Sequence, residues 1–306
     1  MSTTIKSTTE GASTETGALA SRLSSPKWFA VRMGVQRGAM ELRQSLTHRQ
    51  DLIGQFIWAV AILVSLFFLR DNALAGTNVS VGTFMLPSMV GMSVGFNGMM
   101  TLAQSLTTER EDGTLLRAKA IPNGMVGYLV GKIVWVSGTV LLGMALILIP
   151  GVILLNGLAP TSFGAWSTLI WVTVLGLLAT LPIGAVLGSL IDNPRSLGIT
   201  MLPIMALVGI SGIFAPITKL PEWLQTMGQI FPVYWLGLGA RSAMLPSNAV
   251  SAEIGASWRH LETAGALGLW AVAGLLLAPV VLRRMARRES GSKVAERRVK
   301  AMQRIG

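Results

Sequence analysis

The chain has no cysteine, which excludes disulfides, iron–sulfur clusters and cysteine-ligated zinc. Its two histidines, His48 and His260, leave little for a histidine-based metal site. Charge is scarce: 13% of the 306 residues are Asp, Glu, Lys or Arg, and only 14 are acidic. A soluble domain carries about 25% charged residues. Hydrophobic residues instead reach 51%, with a mean hydropathy of +0.59. Several runs approach or pass the roughly 18–20 apolar residues that span a bilayer core. The class implied is an all-α polytopic membrane protein, with no room for a second large soluble domain.

The net charge of +11 would suggest nucleic acid on a soluble protein. In a membrane protein it reads as retention of Lys and Arg on the cytoplasmic side, and no nucleic-acid partner is expected. Residues 1–26 are rich in Ser, Thr, Gly and Ala and lack a basic start before an apolar core. They read as a disordered cytoplasmic lead rather than a secretory signal.

From Pro26 the composition changes. Trp28, Val31, Val35, Ala39, Leu42 and Leu46 recur every three or four residues, with Arg32, Gln36, Arg43 and Gln44 largely off that stripe. This predicts an amphipathic interfacial helix. Six spans follow: Leu52–Leu69, Thr83–Leu106, Met125–Leu155 (broken near Pro150), Ala165–Ile191, Leu197–Phe214 and Thr263–Leu282. Gly91 and Gly95, Gly127 and Gly131, and Gly184 and Gly188 stand at GxxxG spacing, which marks helix packing faces. If the spans alternate from an inner amino terminus, the inner segments hold most of the Lys and Arg. The outer ones hold only Arg70, Lys219, Arg241 and Arg259. Both termini are therefore expected in the cytoplasm, with a transmembrane domain over 27–284 and a basic cytoplasmic tail over 285–306. Lys132, near the inner end of its span, is expected to snorkel inward.

The segment 215–261 then lies outside, yet it is far from polar. Prolines interrupt apolar runs of about 10–14 residues, which predicts short re-entrant or interfacial helices before the last span.

The usual chemistries are missing. The nearest approach to a phosphate-binding loop, Gly127 to Lys132, has the wrong spacing, has Ile133 where a hydroxyl belongs and falls inside a span. The chain is expected to bind no nucleotide, to need no cofactor and not to be an enzyme. Neither histidine and no deep carboxylate falls within a predicted span, which argues against an intramembrane hydrolase or a proton relay. The intramembrane polar residues are Asn97 and Gln104 with scattered Ser and Thr, a thin candidate substrate path. What remains is a helical bundle with one dense block of charge, EREDGTLLRAKAIP, at Glu109–Pro122. Glu109, Arg110, Glu111 and Asp112 suit charge-assisted hydrogen bonds to a partner. Gly113 and Thr114 suit a turn, with Thr114 as N-cap of a short helix whose apolar side is Leu115, Leu116, Ala118 and Ile121, ended by Pro122.

On these residues the chain resembles the permease subunits of ABC-2 type exporters, in the branch related to daunorubicin-resistance permeases. Glu109, Arg110, Glu111, Gly113, Thr114, Leu115 and Pro122 match that family's coupling helix, while Leu116 and Ala118 depart from it. A second match runs from Gly212 to Leu245 and includes Phe214, Pro216, Pro221, Trp223, Phe231, Pro232 and Arg241. Trp235 lies in the same stretch, which is a candidate outer gate. The resemblance implies a plasma-membrane exporter of a drug, antibiotic, lipid or glycolipid. A separate ABC ATPase would bind ATP and Mg, and a second permease copy or a related permease would complete the path. An ion-coupled carrier and a non-transporting membrane scaffold are the alternatives.

Overall fold

The computed structural model describes residues 27–74, 79–155, 158–191 and 194–288. The lead over 1–26 and the tail beyond 288 lie outside the described residues. The first helix is α1 (Lys27–Thr47), followed by α2 (Arg49–Leu69). A long helical run then comprises α3 (Val81–Met92), a π turn (Ser93–Asn97) and α4 (Gly98–Glu111). Next come α5 (Thr114–Lys119), α6 (Gly124–Leu154), α7 (Phe163–Leu190) and α8 (Pro194–Gly209). The last group is α9 (Glu222–Ile230), α10 (Pro232–Met244) and α11 (His260–Arg288). No strand forms among the described residues; a single antiparallel bridge joins Ala73 and Ser80.

Among the described residues, four helices are long and apolar enough to cross a membrane: α2 over Leu52–Leu69, α6, α7, and α11 over His260–Met285. The other two expected spans take different forms. Thr83–Leu106 falls within the run from α3 to α4, divided by the π turn. Leu197–Phe214 maps onto α8, which stops at Gly209 because the chain turns at Gly212, whose φ of +68° suits glycine alone. The expected break at Pro150 does not occur. Helix α6 continues to Leu154, held by burial on both sides of the proline: Ile147 and Leu148 before it and Gly151 after it, Gly151 directly against Leu86.

All three GxxxG pairs have partners. Gly127 and Gly131 on α6 meet Gly34 and Gly38 on α1 so closely that a Cβ at Gly34 or Gly38 would overlap a carbonyl oxygen of α6. Gly184 and Gly188 on α7 meet Met99 and Ala103 on α4, and Gly91 on α3 meets the Leu236 backbone on α10. Without a hydrophobic drive between helices in lipid, such close backbone approach supplies much of the association.

Helix α1 packs on α6 through its small residues rather than through its apolar stripe. Ala30, Gly34 and Gly38 are buried, while Trp28, Val31, Val35 and Leu46 stay exposed. Helix α10 is buried almost all round, including Tyr234, Leu236 and Leu238, between α3, α7 and α11. Helix α9 is the reverse: only Gly228 is buried, and Trp223, Met227 and Ile230 are exposed.

Candidate functional site

Two regions collect the chemistry, at opposite ends of the run from α3 to α4. Ser88 marks one end and Glu109 the other, about 30 Å apart at 1.5 Å per residue.

At the Glu109 end the charged block divides in two. Its first two residues turn inward. Arg110 is buried and its Nη1 donates to the carbonyls of Ser189 and Ile191, each at 3.0 Å, and of Gly188 at 3.4 Å. These carbonyls end α7, so the guanidinium caps its negative pole. Glu109 is largely buried and pairs with Lys132 of α6. Much of the remainder faces out, apart from Gly113, Leu115 and Ala118. Asp112, Arg117, Lys119, Ala120, Ile121 and Pro122 are exposed, while Glu111, Thr114 and Leu116 are half-buried. The expected short helix forms as α5, but the N-cap is Gly113, at φ +80°, and not Thr114. The Thr114 N–H donates to Asp112 Oδ1 at 2.8 Å, a role that suits an Asx turn. Leu115 and Ala118 seat α5 in the core. The helix ends at Lys119, before Pro122, and Asn123 at φ +55° starts α6.

Lys132 does not snorkel. Its side chain is 5% exposed, and Nζ donates to Glu41 of α1 at 2.8 Å as well as pairing with Glu109. Arg37 Nε holds the other oxygen of Glu41 at 2.8 Å, and Lys132 lies 4.6 Å from the Trp135 ring centre. A cation in hydrocarbon needs a counter-charge. Here it has two, from α1 and α4, and so pins three helices together. Burial pushes Glu41 up, but the hydrogen bonds and charges of Lys132 and Arg37 outweigh it and hold the carboxyl below its ordinary value.

At the other end, Arg241 of α10 is fully buried rather than a loop charge. Its Nε donates to Glu253 at 2.6 Å, and its Nη1 to Ser88 Oγ at 2.9 Å and to the Gly212 carbonyl at 3.1 Å. Phe84 lies under the guanidinium at 4.9 Å. One side chain thus ties together α3, α10, the turn after α8 and the 3-10 segment Ser247–Ala252, next to which Glu253 stands. Around it, Trp235 Nε1 donates to the Gln229 carbonyl at 2.7 Å, Arg259 donates to Gln229 Oε1 at 2.7 Å, and Trp270 Nε1 donates to the Ile230 carbonyl at 2.8 Å. Phe231 is half-buried with its ring 5.9 Å from Trp270. Pro216 and Pro232 are buried, whereas Phe214, Pro221 and Trp223 are exposed.

Between the two ends runs an open groove along α4 and α6, walled by the end of α1 in its wider part and by α2 in its inner part. Its wider part, about 770 Å³, is lined by Glu41, His48, Glu109, Asp112 and Lys132 among others. A second part of about 490 Å³ includes Gln55, Trp58, Phe96, Asn97 and Thr139. Thr101 and Gln104 line both, which makes the two continuous. Asn97 and Gln104, the polar residues singled out from sequence, therefore share one surface.

The family model for "ABC-2 family transporter protein" matches residues 69–280, which takes in the charged turn, the short helices and most of α11. The chain belongs to the ABC-2 transporter family. This permease is also similar to "Putative transport permease YvfS" of Bacillus subtilis (strain 168), at 26% identity over 190 residues, covering 60% of this chain and 76% of the relative. It is a multi-pass membrane protein of a transport family.

Sequence reasoning missed two sets of residues in this ABC-2 permease. One is Glu41 with Gly34 and Gly38: an intramembrane lysine demands a carboxylate, and the Gly34–Gly38 spacing repeats that of Gly127–Gly131. The other is Glu253, the counter-ion that an arginine amid the apolar residues of α10 required.

Proposed function

We propose that this permease is the membrane half of an ATP-driven exporter that moves a hydrophobic or amphipathic cargo out of the cell. In this reading the chain makes six spans, the additional two being the run from α3 to α4 and helix α8. Both termini face the cytoplasm, in the plasma membrane. The excess of Lys and Arg at the inner ends supports that orientation. A separate ABC ATPase docks on the outward-facing part of the turn over 111–122. A second copy, or a related permease, completes the translocation path. The short helices α9 and α10 then lie at the outer side and gate the exit.

The observation that carries this reading is the two-sided construction of the charged turn. Its exposed half offers Asp112, Arg117, Lys119 and Ile121 to a partner. Its buried half is bonded to three helices: Arg110 to the end of α7, and Glu109 through Lys132 to α6 and α1. A displacement applied at α5 reaches those helices through charged contacts rather than through slack loop. Such contiguous, discretely arranged elements are what rigid-body switching needs.

Co-purification tests it. Lys119→Glu combined with Ile121→Asp alters only exposed side chains, so the permease inserts normally. Loss of a co-expressed ABC ATPase from the detergent-solubilised complex, with permease yield unchanged, is the expected result. Full retention of the ATPase by the double variant would place docking elsewhere.

A further inference from the structure

The groove along α4 and α6 changes character between its α1 end and its α2 end, and the change points to a ligand. All of its ionisable lining residues, including Glu41, Glu109, Asp112 and Lys132, collect in the wider part near the charged turn. The inner part has none. Its polar lining is Gln55, Asn97, Thr101, Gln104 and Thr139, which are amides and hydroxyls that both donate and accept. Beside them stand Trp58, Phe96 and Met100. The inner part begins at the π turn: Phe96 and Asn97 are its last two residues, and none of Val81–Met92 lines the groove. A π turn inserts one residue into the helical register, a device common at functional sites.

Two further observations fit a site rather than a packing defect. Gln55 Oε1 is buried without a hydrogen-bond partner, an acceptor that a ligand donor would satisfy. Gly54 and Gly143, facing the same groove from α2 and α6, have open space where a Cβ would stand. Elsewhere the bundle is packed to backbone contact, as at Gly34, Gly38, Gly91 and Gly184.

We infer that the inner groove binds an amphiphile whose head group is uncharged and rich in hydroxyls or amides, with its apolar part against Trp58, Phe96 and Ile147. An ionised head group would have to leave water for a stretch with no counter-charge, at a cost of several kcal/mol. Hydroxyls and amides exchange water for the five polar side chains at little net cost. That such a ligand is cargo rests on the exporter reading; that it binds here does not.

The test uses the full chain in lipid nanodiscs and three photoreactive probes that share one diazirine-bearing alkyl chain. The probes end in a glucoside, a trimethylammonium and a sulfonate. Labelled positions are read by peptide mass spectrometry. The glucoside probe is expected to label 96–104 and 139–147 saturably, with competition by unlabelled octyl glucoside. Loss of two hydrogen bonds in Asn97→Leu/Gln104→Leu should weaken that labelling about tenfold. Gly143→Trp should abolish it by filling the groove from a position with room, while Gly143→Ala preserves it. Equal or stronger labelling by the ammonium or sulfonate probe overturns the head-group class. Labelling that is unsaturable, or unchanged in Gly143→Trp, overturns the site. Saturable glucoside labelling here, with no ATP-driven movement of the same probe in sealed vesicles that hold the permease and its ATPase, would sink the reading of this ligand as exported cargo and leave the binding site standing.

Discussion

At the residue scale, the Arg241–Glu253 pair and the Lys132–Glu41–Glu109 node each make a different demand. Arg241 and Glu253 are 0% and 1% exposed, so removing one leaves the other ionised and unpaired in the interior. Arg241→Met is expected to destabilise the protein by about 3–5 kcal/mol. Arg241→Met/Glu253→Leu should recover most of that loss, because replacing both partners leaves no buried charge. Thermal unfolding of the purified variants in detergent reads both, and a double variant no more stable than the single one would mean that the pair is not the source. The Glu41 carboxyl makes a pH prediction. Its folded pKa lies below the ordinary value of 4.5, so its stabilising contribution is complete above that value and is lost as pH falls through the depressed folded value. Protease sensitivity of α1 should therefore rise on acidification from about pH 7 to about pH 3, and Glu41→Gln should show raised sensitivity across that whole range. An unchanged acid response in Glu41→Gln would remove the Lys132 node as the pin of α1.

At the element scale, helix identity was largely legible and helix facing was not. Apolar runs located α2, α6, α7 and α11 to within a few residues at most ends, because a bilayer admits little besides helices of that length. The GxxxG pairs also pointed to real crossings. On α1 the residues that pack are not the apolar stripe but Ala30, Gly34 and Gly38, which let two backbones meet. The charged turn was legible as an element, but its inward half was not. Nothing in the order Glu109-Arg110 reveals that one residue meets Lys132 and the other the end of α7, contacts separated by some twenty and eighty positions in sequence. The α1–α6 crossing yields its own prediction. Gly38→Leu cannot fit against the Gly131 carbonyl, so α1 should lose its protection from hydrogen exchange. Gly54→Leu, with open space around it, should leave that protection unchanged. Equal effects of the two would mean that α1 is not held by close approach.

At the scale of the whole molecule, the proposed function assigns force to the charged turn and cargo to the groove beside it. The charged turn is bonded to α1, α6 and α7. The groove beside it is walled by α4 and α6 with α1 at its wider end and α2 at its inner end, and Lys132, Glu41 and Glu109 belong to both. In the proposed function, a shift at the turn is passed to the groove lining through these shared residues. The proposed orientation has its own check: cysteine at exposed Asn248 should react with an impermeant external maleimide in whole cells, and cysteine at exposed Lys119 should not. The reverse pattern would invert the topology.

The central claim is that motion begins at the charged turn and is driven by ATP hydrolysis in another subunit. It is tested most directly in inverted membrane vesicles that contain the permease and its ATPase, by following an amphipathic fluorescent cargo with the ion gradients collapsed. The account predicts ATP-dependent uptake that persists without any gradient and disappears in Glu111→Lys. Uptake that needs the gradient, or that continues undiminished in Glu111→Lys, would contradict it.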